Sequence, residues 1–136
     1  MNLRIITPDK IARELEINAV SVPTVSGEIT ILPHHVNLFT LLSGGIVRIR
    51  TGKETEYLAV GDGYLETDGK TVTILVSHAS GQDQVDEQLT KRAIEDAKRI
   101  LAEAKDERKK NTAMLLLRRS TIDLKLLKKR KRSSSV

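Results

Sequence analysis

Cysteine is absent from this chain. Disulfides and thiolate metal sites are therefore excluded, and the absence fits a reducing compartment. Tryptophan is missing too, and aromatic residues make up 2% of the 136 positions, so any core must be aliphatic. No apolar run approaches the roughly 18 residues that a membrane-spanning helix needs. The N-terminal stretch MNLRIITPDKIARELEI lacks the apolar segment of a signal peptide. The chain is therefore expected to be soluble, or attached to something that is not a membrane span of its own.

Two further absences are regional. All three prolines lie at or before Pro33, and all eight glycines lie at or before Gly81. Gly and Pro punctuate turns and are disfavoured inside helices. The first part should be rich in turns, and the second can be helical throughout, with the boundary at Ser80-Gly81-Gln82. Charge divides the same way. Residues 1–81 carry 7 Lys/Arg and 9 Asp/Glu, whereas residues 82–136 carry 16 and 9, so only the second part is basic.

Residues 1–81 read as β-structure. KTVTILVS (Lys70–Ser77) and GIVRIRT (Gly45–Thr51) are β-branched and partly alternating, the pattern of half-buried strands. Asp68-Gly69, between GYLET and KTVTILV, predicts a two-residue hairpin in which both residues take positive φ. Thr51-Gly52-Lys53 separates GIVRIR from ETEYLAV in a similar way. LRIITP, LEINAVSV and GEITIL supply further strands, giving about eight in all, which suggests a sandwich or barrel.

Residues 82–136 read as an antiparallel α-helical hairpin. From Asp86, Leu89, Ala93, Ala97, Ile100, Leu101 and Ala104 fall on one helical face. DERKKN (Asp106–Asn111) interrupts that stripe, and a second follows at Ala113, Leu116, Leu117, Ser120, Leu124 and Leu127. The short polar connection predicts antiparallel packing, with small residues allowing close approach. Leu115, Ile122 and Leu126 lie off the second stripe and imply packing on the sandwich or on a partner. The tail KKRKRSSSV is expected to be disordered.

Candidate chemistry is sparse. His34 and His35 stand together, but zinc needs three or four ligands in fixed geometry and the chain's remaining histidine is His78. Neighbouring strand residues also point to opposite faces. A turn after Pro33 with one ring packed and one exposed accounts for the pair. No serine sits in a G-x-S-x-G elbow, and the glycines form neither G-x-G-x-x-G nor a P-loop. Chemistry carried by this chain alone is not expected, and no cofactor is implied. KLLKKRKR places six Lys/Arg in eight residues. Such a run suits nucleic acid, an anionic membrane or an acidic protein face, although stacking aromatics are missing. A nucleic-acid-binding module using this basic helix is the alternative reading.

The segment SGEITILPHHVNLFTLLSGGIVRI resembles one in the ATP synthase epsilon subunit family. That family reads Gly-Glu-x-x-Ile-x-Pro-x-His, then Leu-x-Thr-x-Leu, then Gly and an alternating strand. Gly27, Glu28, Ile31, Pro33, His35, Leu38, Thr40, Leu42 and Gly45 match; Asn37 departs, where the family usually has Pro. GQDQVDEQLTKRAIEDAKR is similar to the family's entry into its first helix, so the resemblance spans nearly the whole chain.

The resemblance implies a non-catalytic rotor subunit of the F-type ATP synthase. Residues 1–81 would be the domain that binds the gamma subunit and the c-ring, with Gly27, Glu28, Pro33, His35 and Leu42 at that interface. Glu28 would sit on a turn facing the polar loop of the ring. Residues 82–136 would be the regulatory hairpin, reaching the alpha/beta headpiece and blocking ATP hydrolysis with help from Arg118, Arg119, Lys128, Lys129, Arg130 and Arg132. Some bacterial relatives bind ATP there through an Ile-Asp-x-x-Arg-Ala pattern and later arginines. Val85, Asp86 and Arg119 match positions of that site, but Leu89 and Thr90 replace the Arg and Ala, and Asp123 stands where another arginine would be. The missing cation weighs against nucleotide binding. The implied location is the cytoplasmic face of a bacterial plasma membrane, with membrane contact only through the complex and no nucleic-acid partner.

Overall fold

The computed structural model describes residues 1–35 and 37–134, with side chains through residue 129. The chain divides into two compact units, Met1–Ser80 and Gly81–Val136.

The first unit is built from strands β1 (Asn2–Ile6), β2 (Ile11–Glu16), β3 (Ala19–Thr24), β4 (Gly27–Ile31), β5 (Leu38–Leu42), β6 (Gly45–Thr51), β7 (Glu54–Val60), β8 (Gly63–Thr67), β9 (Thr71–Val76) and β10 (Ala79–Gly81). Their order is β10-β7-β6-β3-β5-β8-β9-β1-β2, with β4 on the free side of β3. Strand β3 joins the two layers of a sandwich. Ala19–Ser21 pair with β6, while Thr24 pairs with Leu42 of β5. The layer β5-β8-β9-β1-β2 is antiparallel except where β1 lies parallel to β9.

Alternation places the core. Val72, Ile74 and Val76 of β9, and Leu3 and Ile5 of β1, face inward and meet Val20, Val22, Ile31, Val47, Ile49, Leu58 and Val60 of the other layer. The cluster is aliphatic, as the scarcity of aromatics required. At ~25 cal/mol per Å2 of apolar surface removed from water, each such side chain contributes roughly 1.5–3 kcal/mol before entropy is counted.

Among the described residues ten strands form, rather than about eight. Strand β2 (IARELE) consists largely of good helix formers and shows no apolar alternation; it pairs with β1 alone at the end of the layer. Tertiary pairing overrides its propensity. LEINAVSV is not one strand, because β2 ends at Glu16 and β3 begins at Ala19. Between them the Asn18 side chain accepts a hydrogen bond from the Gly52 backbone N–H.

The turns also shift. In the β8–β9 hairpin, Asp68 pairs with Thr71, so the central residues are Gly69 and Lys70 rather than Asp68-Gly69. Gly69 has φ 89° and is the single positive-φ residue there, the signature of a type II′ turn. The Asp68 carboxylate instead accepts the Lys70 and Thr71 N–H groups at 2.9 and 2.8 Å, which holds its pKa below the ordinary value.

The second unit opens with a 3-10 turn (Gln82–Gln84), followed by helices α1 (Glu87–Glu103) and α2 (Glu107–Ser134), packed together as a hairpin. Asp86 caps α1, its Oδ1 accepting the Leu89 N–H at 2.9 Å. Asp106 does the same for α2, accepting the Arg108 N–H at 2.9 Å. The interruption is therefore only Ala104–Asp106, and most of DERKKN is the first turn of α2. Helix α2 runs through Ser134, so the expected disordered tail is helical up to that residue.

The packed face is lined by small residues, with Ala97, Ala113 and Ser120 all buried. It differs from the expected stripes at three places. Leu89 is 62% exposed and Leu116 is 39% exposed, whereas Leu126, expected off the stripe, is fully buried. Thr90 takes the inward position at the start of α1, its hydroxyl donating to the Asp86 carbonyl at 2.7 Å. The Leu126 carbonyl accepts from Gln82 Nε2 at 3.1 Å, tying the 3-10 turn to α2.

Candidate functional site

The residues singled out in the first unit do not form one cluster. Strand β4 separates them. At ~3.3 Å per residue its five residues hold Gly27 about 13 Å from Ile31. At one end, the β3–β4 hairpin turns through Val25 and Ser26, because Thr24 pairs with Gly27. Thr24 Oγ1 donates to the Gly27 carbonyl at 2.6 Å and accepts the Ser26 N–H at 3.2 Å. Gly27 has φ 118°, a value that L side chains rarely adopt. Glu28 is thus the second residue of β4 and not part of the turn itself. It is exposed, opposite Pro23, with Oε1 3.6 Å from the Arg48 guanidinium. The residue that crowns the turn is Val25, 82% exposed. Leu42 reaches the same end but is buried in the core, so it anchors β5 and leaves its neighbours to make any contact.

At the other end of β4, Pro33 and His34 form a second turn. The His35 N–H bonds the Leu32 carbonyl at 3.2 Å, and His34 has φ 67°. This is a type II arrangement, with proline fixing the first central position and a left-handed residue at the second. The His34 N–H reaches the Gly69 carbonyl at 3.0 Å, which seats the turn on the β8–β9 hairpin. A side chain at Gly69 would stand 2.8 Å from the His35 carbonyl oxygen. His34 is exposed and His35 half-buried.

Strand β5 runs from just beyond His35 to Leu42 and so links the two ends. It was not read as a strand from LFTLL, yet its alternation is plain once the pairing is known. Leu38, Thr40 and Leu42 turn inward, while Phe39 and Leu41 are 62% and 61% exposed. Tyr64 of β8 lies opposite Leu41 and packs on Phe39 with ring centroids 5.2 Å apart. Phe39, Leu41 and Tyr64 thus make an outward apolar strip, flanked by the Val25 turn and the His34 turn. The period-2 spacing of Phe39 and Leu41 was the available signal.

In the second unit, Arg118, Arg119 and Lys128 are exposed and Lys129 is half-buried. Arg130 and Arg132 belong to the last turns of α2, and their side chains lie outside the described residues. Asp123 is half-buried, with Oδ1 unpartnered among the described residues. Burial raises its pKa, and the charge of Arg119, one turn earlier, offsets part of that rise. Val85 and Asp86 sit where the 3-10 turn meets α1, and the Asp86 carboxylate is already engaged in capping. Among the described residues, no group of three or more His, Asp or Glu is placed to hold a metal ion, and no helix is long and apolar enough to cross a membrane.

Comparison with known proteins gives a consistent result. Residues 1–82 match the family described as ATP synthase, Delta/Epsilon chain, beta-sandwich domain. The chloroplastic ATP synthase epsilon chain of Marchantia polymorpha is 35% identical over 86% of this chain and 87% of its own length. The ATP synthase epsilon chain of Halalkalibacterium halodurans is 36% identical over 89% and 92%. Among solved structures, a chain of the Euglena gracilis mitochondrial ATP synthase superposes with a TM-score of 0.75 at 19% identity, covering 85% of this chain and 74% of that one. At that identity the match speaks for the fold alone. With a family match over more than half its length and relatives this similar over most of theirs, the chain belongs to the ATP synthase epsilon-chain family.

Proposed function

We propose that this chain is a non-catalytic rotor subunit of an F-type ATP synthase, whose sandwich joins the gamma subunit to the c-ring and whose hairpin restrains ATP hydrolysis. The observation that carries the first half is the strip on β5 and β8. Phe39 and Leu41 are more than half exposed on an otherwise well-alternating strand, and Tyr64 extends the same surface. An apolar strip of this kind, bordered by polar turns, suits a protein partner. Membership of the epsilon-chain family supports gamma as the partner we propose for this strip.

The turns at the two ends of the strip suit the polar loops of a ring. Gly27 and Glu28 lie beside the Val25 turn, and Pro33 and His35 shape the other. Contact through Glu28 requires only that its carboxylate leave Arg48, an exposed pair at 3.6 Å that costs little to break. With Glu28→Cys, oxidative crosslinking to a cysteine in the c-ring loop is expected in the assembled enzyme. Absence of an adduct would remove this contact from the reading.

The hairpin half rests on α2. Arg118, Arg119 and Lys128 lie on its outward surface with Lys129 half-buried next to them, and Leu115 and Leu116 stay exposed beside the two arginines. A helix both basic and apolar on its free side is suited to an acidic face of the alpha/beta headpiece. The reading includes no cofactor and no nucleotide site on the hairpin, where Asp86 is occupied as a cap. Within the complex the chain would be peripheral, on the cytoplasmic face of a bacterial plasma membrane.

A further inference from the structure

The outer face of the layer formed by β4, β3, β6 and β7 carries a second feature, distinct from the β5–β8 strip. The registers align Thr30, Ser21, Arg48 and Tyr57 in one row across four strands. Ala19, Arg50 and Thr55 form the next row. Small residues on the middle strand, Ala19 and Ser21, make a floor between taller walls. The result is a groove of about 460 Å3, within the size range of small-molecule sites.

Its chemistry is specific. Two guanidinium groups stand two residues apart on β6, on the same face. Four hydroxyls, from Ser21, Thr30, Thr55 and Tyr57, share the lining. Ser21 is 3% exposed, and its Oγ lies 2.8 Å from Thr30 Oγ1 and 3.3 Å from Arg48 Nη2. Arg48 is therefore already oriented across the floor, with Glu28 at 3.6 Å as a weak, exposed partner. Arg50 makes no side-chain hydrogen bond or ion pair among the described residues. Among the described residues it is the cation on this face without a counter-charge, in a domain whose net charge is negative.

We infer that this groove binds a small phosphate monoester, its phosphoryl oxygens shared between Arg48, Arg50 and the hydroxyls of the floor. Guanidinium forks match phosphate oxygens in pairs, and hydroxyls supply the remaining donors. Leu32 and Tyr57 complete the walls and give an organic substituent an apolar surface. Glu28 competes with the ligand for Arg48, so the site opens further whenever Glu28 is drawn elsewhere.

The test is a nuclear magnetic resonance titration of the full-length 15N-labelled chain with inorganic phosphate, phenyl phosphate and a hexaglutamate peptide. Saturable shifts are expected at the amides of Ser21, Thr30, Arg48 and Arg50, with phenyl phosphate binding more tightly than inorganic phosphate. Arg50→Ala should weaken phenyl phosphate by about tenfold or more, the size of a lost charge-assisted hydrogen bond. Glu28→Gln should tighten it. The dispersion of each variant's spectrum reports whether the sandwich is intact. Shifts that are unsaturable, or that persist unchanged in Arg50→Ala, would overturn the inference. So would a stronger response to hexaglutamate than to either phosphate, which would assign the groove to an acidic protein segment.

Discussion

His34 shows how much one side chain can hide. From the sequence it is half of a suspicious histidine pair. In the fold it occupies the left-handed position of a type II turn, with φ 67°. That conformation costs an L residue on the order of 1 kcal/mol, which glycine avoids. His34→Gly is therefore expected to stabilise the sandwich by up to about 1 kcal/mol in urea unfolding, the strain relief being partly offset by glycine's extra entropy when unfolded. A destabilised variant would mean that the ring, rather than the backbone, is what the position requires. The sequence did mark the turn through Pro33, but nothing in the pair itself says which histidine bears the unusual backbone. Glu28 is a similar case. Gly27-Glu28 looked like the turn, yet the pairing of Thr24 with Gly27 moves it two residues earlier and puts Val25 at its tip.

At the scale of elements, alternation was readable and pairing was not. β6 and β9 announce themselves through β-branched residues, and the turns beside them carry Gly52 and Gly69. β2 could not be found from propensity, because its strand state depends on the partner β1. β5 was passed over because LFTLL reads as a short apolar run; only its buried and exposed positions show that two of its large side chains face out. In the hairpin, caps decide the boundaries. Asp86 and Asp106 fix the starts of both helices, and the charged run after Asp106 is helical for that reason.

Asp123 belongs to this scale, since its environment is made by the hairpin. Burial raises its folded pKa above the ordinary value of 3.8, so the folded state holds a proton more tightly than the unfolded chain. Stability is then greatest at low pH as far as this group is concerned, and declines as pH rises through the folded pKa. Asp123→Asn should raise the helical melting midpoint at pH 7, with the gap closing below about pH 4. Circular dichroism melts across that range decide the point; a variant less stable at pH 7 would show that the charge is wanted there, most simply by Arg119. Truncation after Ile122 addresses the role of α2. It removes Lys128, Lys129, Arg130 and Arg132 together, and ATP hydrolysis by the alpha/beta/gamma headpiece carrying the truncated chain should rise. Unchanged hydrolysis would separate the basic end from inhibition.

For the molecule as a whole, the proposed function gives each of the two units its own task. The sandwich core is closed within residues 1–80, all of its buried cluster lying between Leu3 and Val76. Such a unit can hold a partner surface rigid. The hairpin is held by small residues and leaves Met114, Leu115 and Leu116 exposed on α2, so it keeps apolar surface available for another contact. This arrangement suits a stalk subunit that carries torque through one part and regulates through the other. The measurement that tests it most directly is co-purification of the tagged chain with the gamma subunit, for the wild type and for Leu41→Asp. The account predicts a stable complex for the wild type, and loss of gamma for the variant while the sandwich stays folded. A chain that never retains gamma, or retains it equally well with aspartate in the centre of the β5 strip, would contradict it.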